Sequence, residues 1–235
     1  MSPPRVLVTG AGRGIGRAIA LRFAREGAKV CIAARTSSEL DKVVAEIGKA
    51  GGQGCPSQMN LTDYGTVEAG VYRAVEFFGG TIDVLVNNAG DFETKPFEKM
   101  TPSVWERMLD INLNAHFYVT LESISALLES KQPHVFNIAS IAAKQGFAEN
   151  TAYCAAKWGL RGFGEALRAE FGPRGMRVTT VYPGPTDTTI FDGVPGNWDR
   201  SKMSKPEDVA EVVFATWKAP AGSQIDDVDV PRPQG

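Results

Sequence analysis

The sequence predicts an α/β protein built on a doubly wound parallel sheet of about seven strands, with helices on both faces. Two observations predict it. Short apolar runs rich in β-formers alternate along the chain with helix-length amphipathic stretches, and residues of unusual chemistry fall where the apolar runs end. A sheet of this kind binds its ligand beyond the carboxyl ends of its strands, so those scattered residues converge on one crevice.

The elements follow in order. Residues 5–9 carry the run Val6-Leu7-Val8 and read as the first strand; residues 14–26 follow as a helix with Ile15, Ile19, Ala20 and Phe23 spaced for one face. Residues 29–34 and 38–49 are the next strand and helix, then 54–58 and 64–78. The alternation continues with strand 83–87, one long helix over 102–129, strand 134–139, helix 151–171 and strand 177–181. Residues 184–204 are irregular, interrupted by Pro185, Gly193, Pro195 and Gly196; so long a connection reads as a substrate loop or as a tolerated surface insertion. Helix resumes at Pro206, with Ser204 as the expected N-cap and Glu207 and Asp208 in the first turn. A last strand is expected over 225–230, and the tail 231–235 should be extended and mobile.

Length and composition suit a single domain over residues 1–235, since 43% hydrophobic content can fill one sizeable core. Lys plus Arg is 25 against 27 for Asp plus Glu, a net charge of −2 that gives no basic surplus for nucleic acid or an anionic membrane. The apolar run at Val6-Leu7-Val8 is too short for a signal sequence or a spanning helix, so a soluble, cytoplasmic chain is expected. Cys31, Cys55 and Cys154 are odd in number and widely spaced, and His116 and His134 are the only histidines, which argues against a disulfide framework and against a metal site. Cys154 reads as a small buried filler or as a reactive thiol, but nothing nearby reads as a base for the latter.

Between the first strand and its helix lies Thr9-Gly10-Ala11-Gly12-Arg13-Gly14-Ile15-Gly16. Glycines here let backbone N–H groups and a helix N-terminus face a pyrophosphate without side-chain obstruction, and the flanking strand and amphipathic helix make the run a dinucleotide loop rather than a flexible turn. At the end of the second strand stands Ala34-Arg35, where an acid would hydrogen-bond a free ribose 2′-hydroxyl. Ala34 cannot do so, whereas Arg35 offers a fork suited to phosphate and Arg13 approaches from the glycine loop. Each arginine alone reads more readily as a solvated surface charge; together, with the acid absent, they favour NADP(H), with NAD(H) left open as the second coenzyme.

Tyr153 and Lys157 lie four residues apart, hence on one helix face, and Ser140 precedes them at the end of the fifth strand. A phenol with a pKa of ~10 is a poor proton donor at neutral pH. An ammonium ~5 Å away at an effective dielectric of ~20 favours the phenolate by about 3 kcal/mol, roughly two pKa units. Lys157 is therefore expected to bring Tyr153 into useful range, while Ser140 hydrogen-bonds a substrate oxygen. Taken alone, the Tyr-x-x-x-Lys pair is also compatible with an ordinary amphipathic helix.

With Asn87-Asn88-Ala89-Gly90, Ile111-Asn112-Leu113 and Pro183-Gly184 added in this order, the chain resembles the short-chain dehydrogenase/reductase family over nearly its whole length. The resemblance implies a Rossmann-type fold and an NADP-dependent oxidoreductase. It further implies that Tyr153 exchanges a proton with the substrate oxygen, that Lys157 also binds the nicotinamide ribose, and that Ser140 orients the substrate. Asn112 would hold a water linking Lys157 to solvent. Asn88, Ala89 and Gly90 would line the coenzyme; Pro183, Gly184, Thr186 and Thr188 would lie at its nicotinamide end, and Asn60 with Leu61 near adenine. Two departures stand out: Asn60 replaces a common acid, and the segment 225–230 lacks the usual glycine pair.

The reaction class is the interconversion of a small carbonyl compound and its alcohol; the alternative is a coenzyme-binding sensor or scaffold of the same fold without catalysis. Substrate contacts are expected from residues 91–95, 141–147 and 184–204, where Phe92, Phe147, Ile190, Phe191 and Trp198 suggest an apolar pocket or lid packing. The family usually pairs the 102–129 and 151–171 helices between subunits, so a homodimer or homotetramer is expected, although small residues such as Ala155, Ala156 and Gly159 would equally suit packing on the chain's own sheet.

Overall fold

The computed structural model describes residues 3–196 and 198–231. Seven strands form one sheet in the order β3-β2-β1-β4-β5-β6-β7: β1 (Arg5–Thr9), β2 (Lys29–Ala34), β3 (Gln53–Gln58), β4 (Val84–Asn87), β5 (His134–Ile138), β6 (Arg177–Pro183) and β7 (Asp227–Val230). Every pairing is parallel, with Val6 opposite Val30 on one side and Val84 on the other. This is the predicted doubly wound architecture. The expectation for the tail at 232–235 lies outside the described residues.

Successive side chains of a strand point to opposite faces, and both faces here are covered, which is why the central strands are apolar throughout. Val6 and Val8 pack with α1 (Gly14–Ala24), α2 (Ser37–Lys49) and α7 (Pro206–Trp217). Leu7 faces the other core, formed with α3 (Tyr64–Phe78) and α5 (Ala115–Leu128), and α6 (Thr151–Phe171) adds Leu167 and Phe171 at its edge. Across the first layer Phe23 meets Phe214 edge-on, with ring centroids 5.2 Å apart, and the Arg22 guanidinium stacks 3.6 Å over the Phe214 ring.

Three local readings change. The long helix expected over 102–129 is α4 (Pro102–Leu109) and α5, joined by a π-turn at Asp110–Asn114. An extra residue in a turn is invisible to a search for 3.6-residue periodicity, and such turns gather at functional sites. Ser204 does not cap α7: it bridges to Thr186, and Lys205 takes the cap position, its backbone N–H donating to the Asp208 carboxylate at 3.0 Å. Cys31 and Cys55 stand directly opposite each other on β2 and β3, both as free thiols, a pairing that wide sequence spacing concealed.

The small residues of α6 pack within the chain. A Cβ on Gly164 would lie 2.8 Å from Thr180 Oγ1 and 3.0 Å from Asn137 Nδ2, so this glycine lets α6 descend onto β5 and β6. One on Gly159 would lie 2.8 Å from Leu113 Cδ2, which seats the helix against the π-turn. The small faces thus bring Tyr153 and Lys157 toward the ends of β4 and β5.

Gly164→Ala should lower stability by about 1–3 kcal/mol through overpacking. Gly162→Ala, where an added methyl meets nothing within 4 Å, should instead raise it by about 0.5–1 kcal/mol by removing a helical glycine. Urea unfolding of both variants gives the comparison.

Candidate active site

The glycine loop is locked to the end of β4. Thr9 Oγ1 accepts the N–H groups of Asn88 at 3.0 Å and Ala89 at 3.1 Å and donates to the Val86 carbonyl at 3.3 Å. In return Asn88 Nδ2 donates to the Thr9 carbonyl at 2.9 Å. Gly10 takes φ 62°, a left-handed conformation that a side chain would resist, and its missing Cβ would sit 2.7 Å from Ala89 Cα. At Gly16 the same atom would lie 2.5 Å from Asn88 Nδ2 and 2.6 Å from the Gly10 carbonyl.

The cradle fits a dinucleotide on two counts. The first turn of α1 carries no acid, and its N-cap, Arg13, makes no capping side-chain bond, so the leading N–H groups of that helix are available to an anion. Ile15 turns into the core beneath the loop, leaving glycine backbone as its upper face. Arg13 and Arg35 are exposed, one in the glycine loop and one after β2; Arg13 Nη1 lies 3.7 Å from Glu39 Oε1, a neighbour that no sequence pattern announces. Asn60 is exposed after β3, its Oδ1 engaged by the Thr62 hydroxyl at 3.0 Å, and Leu61 is buried in the core, so only its backbone is placed to meet a ligand.

At the other end, Pro183 and Gly184 leave β6 alongside β7, with the Gly184 N–H on the Val230 carbonyl at 3.1 Å. The two threonines beyond them part ways. Thr186 is buried with its hydroxyl on the Gly184 carbonyl, whereas Thr188 lies over the glycine loop, its Cγ2 3.2 Å from where a Cβ of Gly14 would be. Thr188 is thus the one of the pair that borders the glycine loop.

Asn112 and Lys157 meet at Gly90, and Tyr153 is linked to Lys157 on one side and to Ser140 on the other. A Cβ on Gly90 would come 2.8 Å from Asn112 Oδ1 and 3.6 Å from Lys157 Nζ, so both groups border the same spot. Asn112, in the π-turn, is held by Nδ2 donations to the carbonyls of Asp91 at 3.0 Å and Met108 at 3.1 Å. Lys157 Nζ donates to the Ile138 carbonyl at 3.2 Å and lies 5.7 Å from the centre of the Tyr153 ring. Ser140 stands at the end of β5, where its Oγ accepts the Ala142 N–H at 3.1 Å.

Electrostatics differ from the sequence-based expectation. Burial pushes the Tyr153 phenol up to about 12, against an opposing pull from the Ser140 hydroxyl. Burial brings the Lys157 ammonium down to about 7. Burial is the leading cause at both groups, and Lys157 is not among the causes acting on the phenol. His116, buried one turn beyond Asn112, is held down to about 3 by burial first and by Lys157 second.

Phe92 lies edge-on to Tyr153 with centroids 5.0 Å apart, and also meets Phe191 at 5.6 Å and Trp198 at 5.8 Å. The segment after β4 and the 184–204 loop therefore meet over the phenol. Beside them is a cavity of about 210 Å³ bordered by Asp91, Phe92, Arg107 and Val194. A larger depression of about 380 Å³ between α3 and α5 touches none of these groups. Phe147 is exposed and makes none of these ring contacts.

The family model described as short chain dehydrogenase matches residues 4–196. The chain belongs to that family. It is 30% identical over 224 residues to an uncharacterized oxidoreductase of Staphylococcus aureus (strain MW2), with 95% of each chain covered. It is 33% identical over 217 residues to a cyclohexanol dehydrogenase of Acinetobacter sp. (strain SE19), covering 88% of this chain and 84% of that one. In structure it is similar to an alcohol dehydrogenase from the archaeon Thermococcus sibiricus complexed with 5-hydroxy-NADP, with a TM-score of 0.89 and 25% identity over 98% of both chains. The carveol dehydrogenase from Mycobacterium avium, in complex with NAD, shares the fold with a TM-score of 0.88 at 22% identity, over 96% of this chain and 95% of that one. As a short-chain dehydrogenase the chain is an oxidoreductase that uses NAD(P).

Burial of Lys157 should be visible in the stability of the free dehydrogenase. Its pKa is about 7 when folded against an ordinary 10.5, so between these values the unfolded chain binds more protons and stability rises with pH, by at most about 1.4 kcal/mol per unit. Below pH 7 the full cost of charging the buried amine is present. Between pH 7.5 and 9.5 the difference in unfolding free energy between parent and Lys157→Met should change by about 2–3 kcal/mol in the parent's favour. Equal slopes in urea titrations of the two proteins would contradict this.

Proposed function

We propose that this short-chain dehydrogenase interconverts a small apolar carbonyl compound and its alcohol, preferring NADP(H), with Tyr153 as general acid and base. The observation that supports the reading is the chain of contacts from Asn112 and Lys157 at Gly90, through Lys157 to Tyr153 and on to Ser140, beside the glycine loop. Gly10, Gly12, Gly14 and Gly16 with Asn88, Ala89, Gly90 and Thr188 would hold the coenzyme, and Arg13 with Arg35 would receive a ribose 2′-phosphate. Bound there, the coenzyme supplies or accepts the hydride at the substrate carbon.

Tyr153 then donates its proton to the carbonyl oxygen during reduction and recovers one during oxidation. Ser140 Oγ fixes that oxygen by hydrogen bonding. Lys157, with a pKa of about 7, exchanges protons readily at neutral pH and can resupply the phenol, while Asn112 orients the route to solvent. Phe92, Phe191 and Trp198 would close an apolar wall around the substrate, in keeping with residues 184–204 acting as a substrate loop in a single-domain enzyme.

The free thiols Cys31, Cys55 and Cys154 favour a reducing compartment, the cytoplasm. Among the described residues no helix is long and apolar enough to cross a membrane. Phe117, Leu121 and Trp158 leave apolar surface exposed on α5 and α6, which supports a homodimer or homotetramer formed through those helices. Light scattering should show a mass at least twice that of the 25.3 kDa chain.

The decisive assay is oxidation of NADPH with a panel of ketones and aldehydes, run beside Tyr153→Phe. Loss of the phenolic proton should reduce kcat by about 10²–10⁴ while coenzyme binding persists. Full turnover in the variant would remove Tyr153 from the reaction, and absence of turnover in the parent across the panel would favour a sensor or scaffold. NADPH should bind more tightly than NADH in calorimetric titration.

A further inference from the structure

We propose that Glu39 limits the preference of this chain for NADP(H), by competing with a ribose 2′-phosphate for Arg13. The inference rests on the reading that Arg13 and Arg35 receive that phosphate. Glu39 belongs to the first turn of α2 and folds back over the glycine loop. Its Oε2 lies 2.7 Å from where a Cβ of Gly12 would be, and that same point is 3.6 Å from the Cβ of Ala34. Its Oε1 lies 3.7 Å from Arg13 Nη1. The carboxylate therefore occupies ground between the glycine loop and the end of β2, the gap into which the adenosine ribose must lean.

An acid in the first turn of a helix ordinarily reads as a partner for the helix dipole. That explains the residue type but not its direction, since the side chain reaches across to a different element and takes up a cation there. The other charged groups nearby do not compete for it. Arg17 is paired with Glu46 at 2.7 Å, and Arg35, whose carbonyl accepts from Gln58 Nε2 at 2.9 Å, enters no ion pair among the described residues. Arg13 is thus shared between an internal carboxylate and any incoming phosphate, and Glu39 adds its own repulsion to the latter. A coenzyme with a free 2′-hydroxyl meets neither cost, because the hydroxyl can donate to the carboxylate. Glu39 performs part of the work done by an acid at the end of the second strand, although it arrives from the following helix.

Calorimetric titration of NADPH and NADH into the purified protein tests this without turnover. Two charges about 4 Å apart in water interact strongly enough to change binding about fivefold. Glu39→Gln should tighten NADPH about fivefold and change NADH by less than twofold, and Glu39→Lys should widen the ratio further. In an Arg13→Gln background the gain from Glu39→Gln should shrink, leaving only the part owed to direct repulsion between Glu39 and the phosphate. An unchanged NADPH-to-NADH ratio in Glu39→Gln, or an undiminished gain without Arg13, overturns the proposal. The ratio is insensitive to any fraction of misfolded protein, since both coenzymes sample the same preparation. A parent protein that binds NADH more tightly than NADPH would overturn the NADP(H) preference, whereas the competition would still be judged by the shift in ratio that Glu39→Gln produces.

Discussion

The buried hydroxyl of Thr9 joins two strand ends that are about eighty residues apart in the chain. It accepts two backbone N–H groups from the start of the segment after β4 and donates its own hydrogen bond to the Val86 carbonyl. Buried backbone donors must be paired, so this one side chain settles how the glycine loop and the Asn88–Gly90 segment lie against each other. The coenzyme cradle is one side of that junction. Gly90, on the other side, borders Asn112 and Lys157, so the same junction sets how the glycine loop lies relative to those two side chains.

Close approach is the second constraint, and glycine is how the chain achieves it. At Gly10 and Gly16 the loop comes within clashing distance of Ala89 and Asn88, and at Gly159 and Gly164 helix α6 comes equally near Leu113 and the β5–β6 surface. The consequence is a dry site. Lys157 is 3% exposed and holds one protein acceptor, the Ile138 carbonyl, so its charge is costly and its pKa falls. Tyr153 rises for the same reason. Burial thus moves both groups toward their neutral forms, the phenol up to about 12 and the amine down to about 7.

The strand and helix alternation was legible because parallel strands covered on both faces produce apolar runs and surface helices produce periodic stripes. Chemistry at the strand ends was legible in the same way: Ser140 closes β5, Arg35 follows β2 and Gly10 follows β1. The π-turn at Asp110–Asn114 was not legible, since one wide turn has no residue signature of its own and the apolar residues on both sides still read as helical. The contact of Glu39 with the glycine loop, the meeting of Phe92 with Phe191 and Trp198, and the inward turn of Thr186 all join residues distant in the chain or depend on rotamers.

By itself the sequence determined the order of the elements, the dinucleotide loop and the identity of the Tyr153–Lys157 pair, because each is a matter of local spacing and residue chemistry. The tertiary structure alone decided the direction in which burial shifts that pair, the partner of Arg13 and the aromatic cover over Tyr153. Desolvation, which governs the first, depends on how many neighbours the whole fold packs around a group, and the other two depend on which distant loops it brings together; no local pattern encodes either.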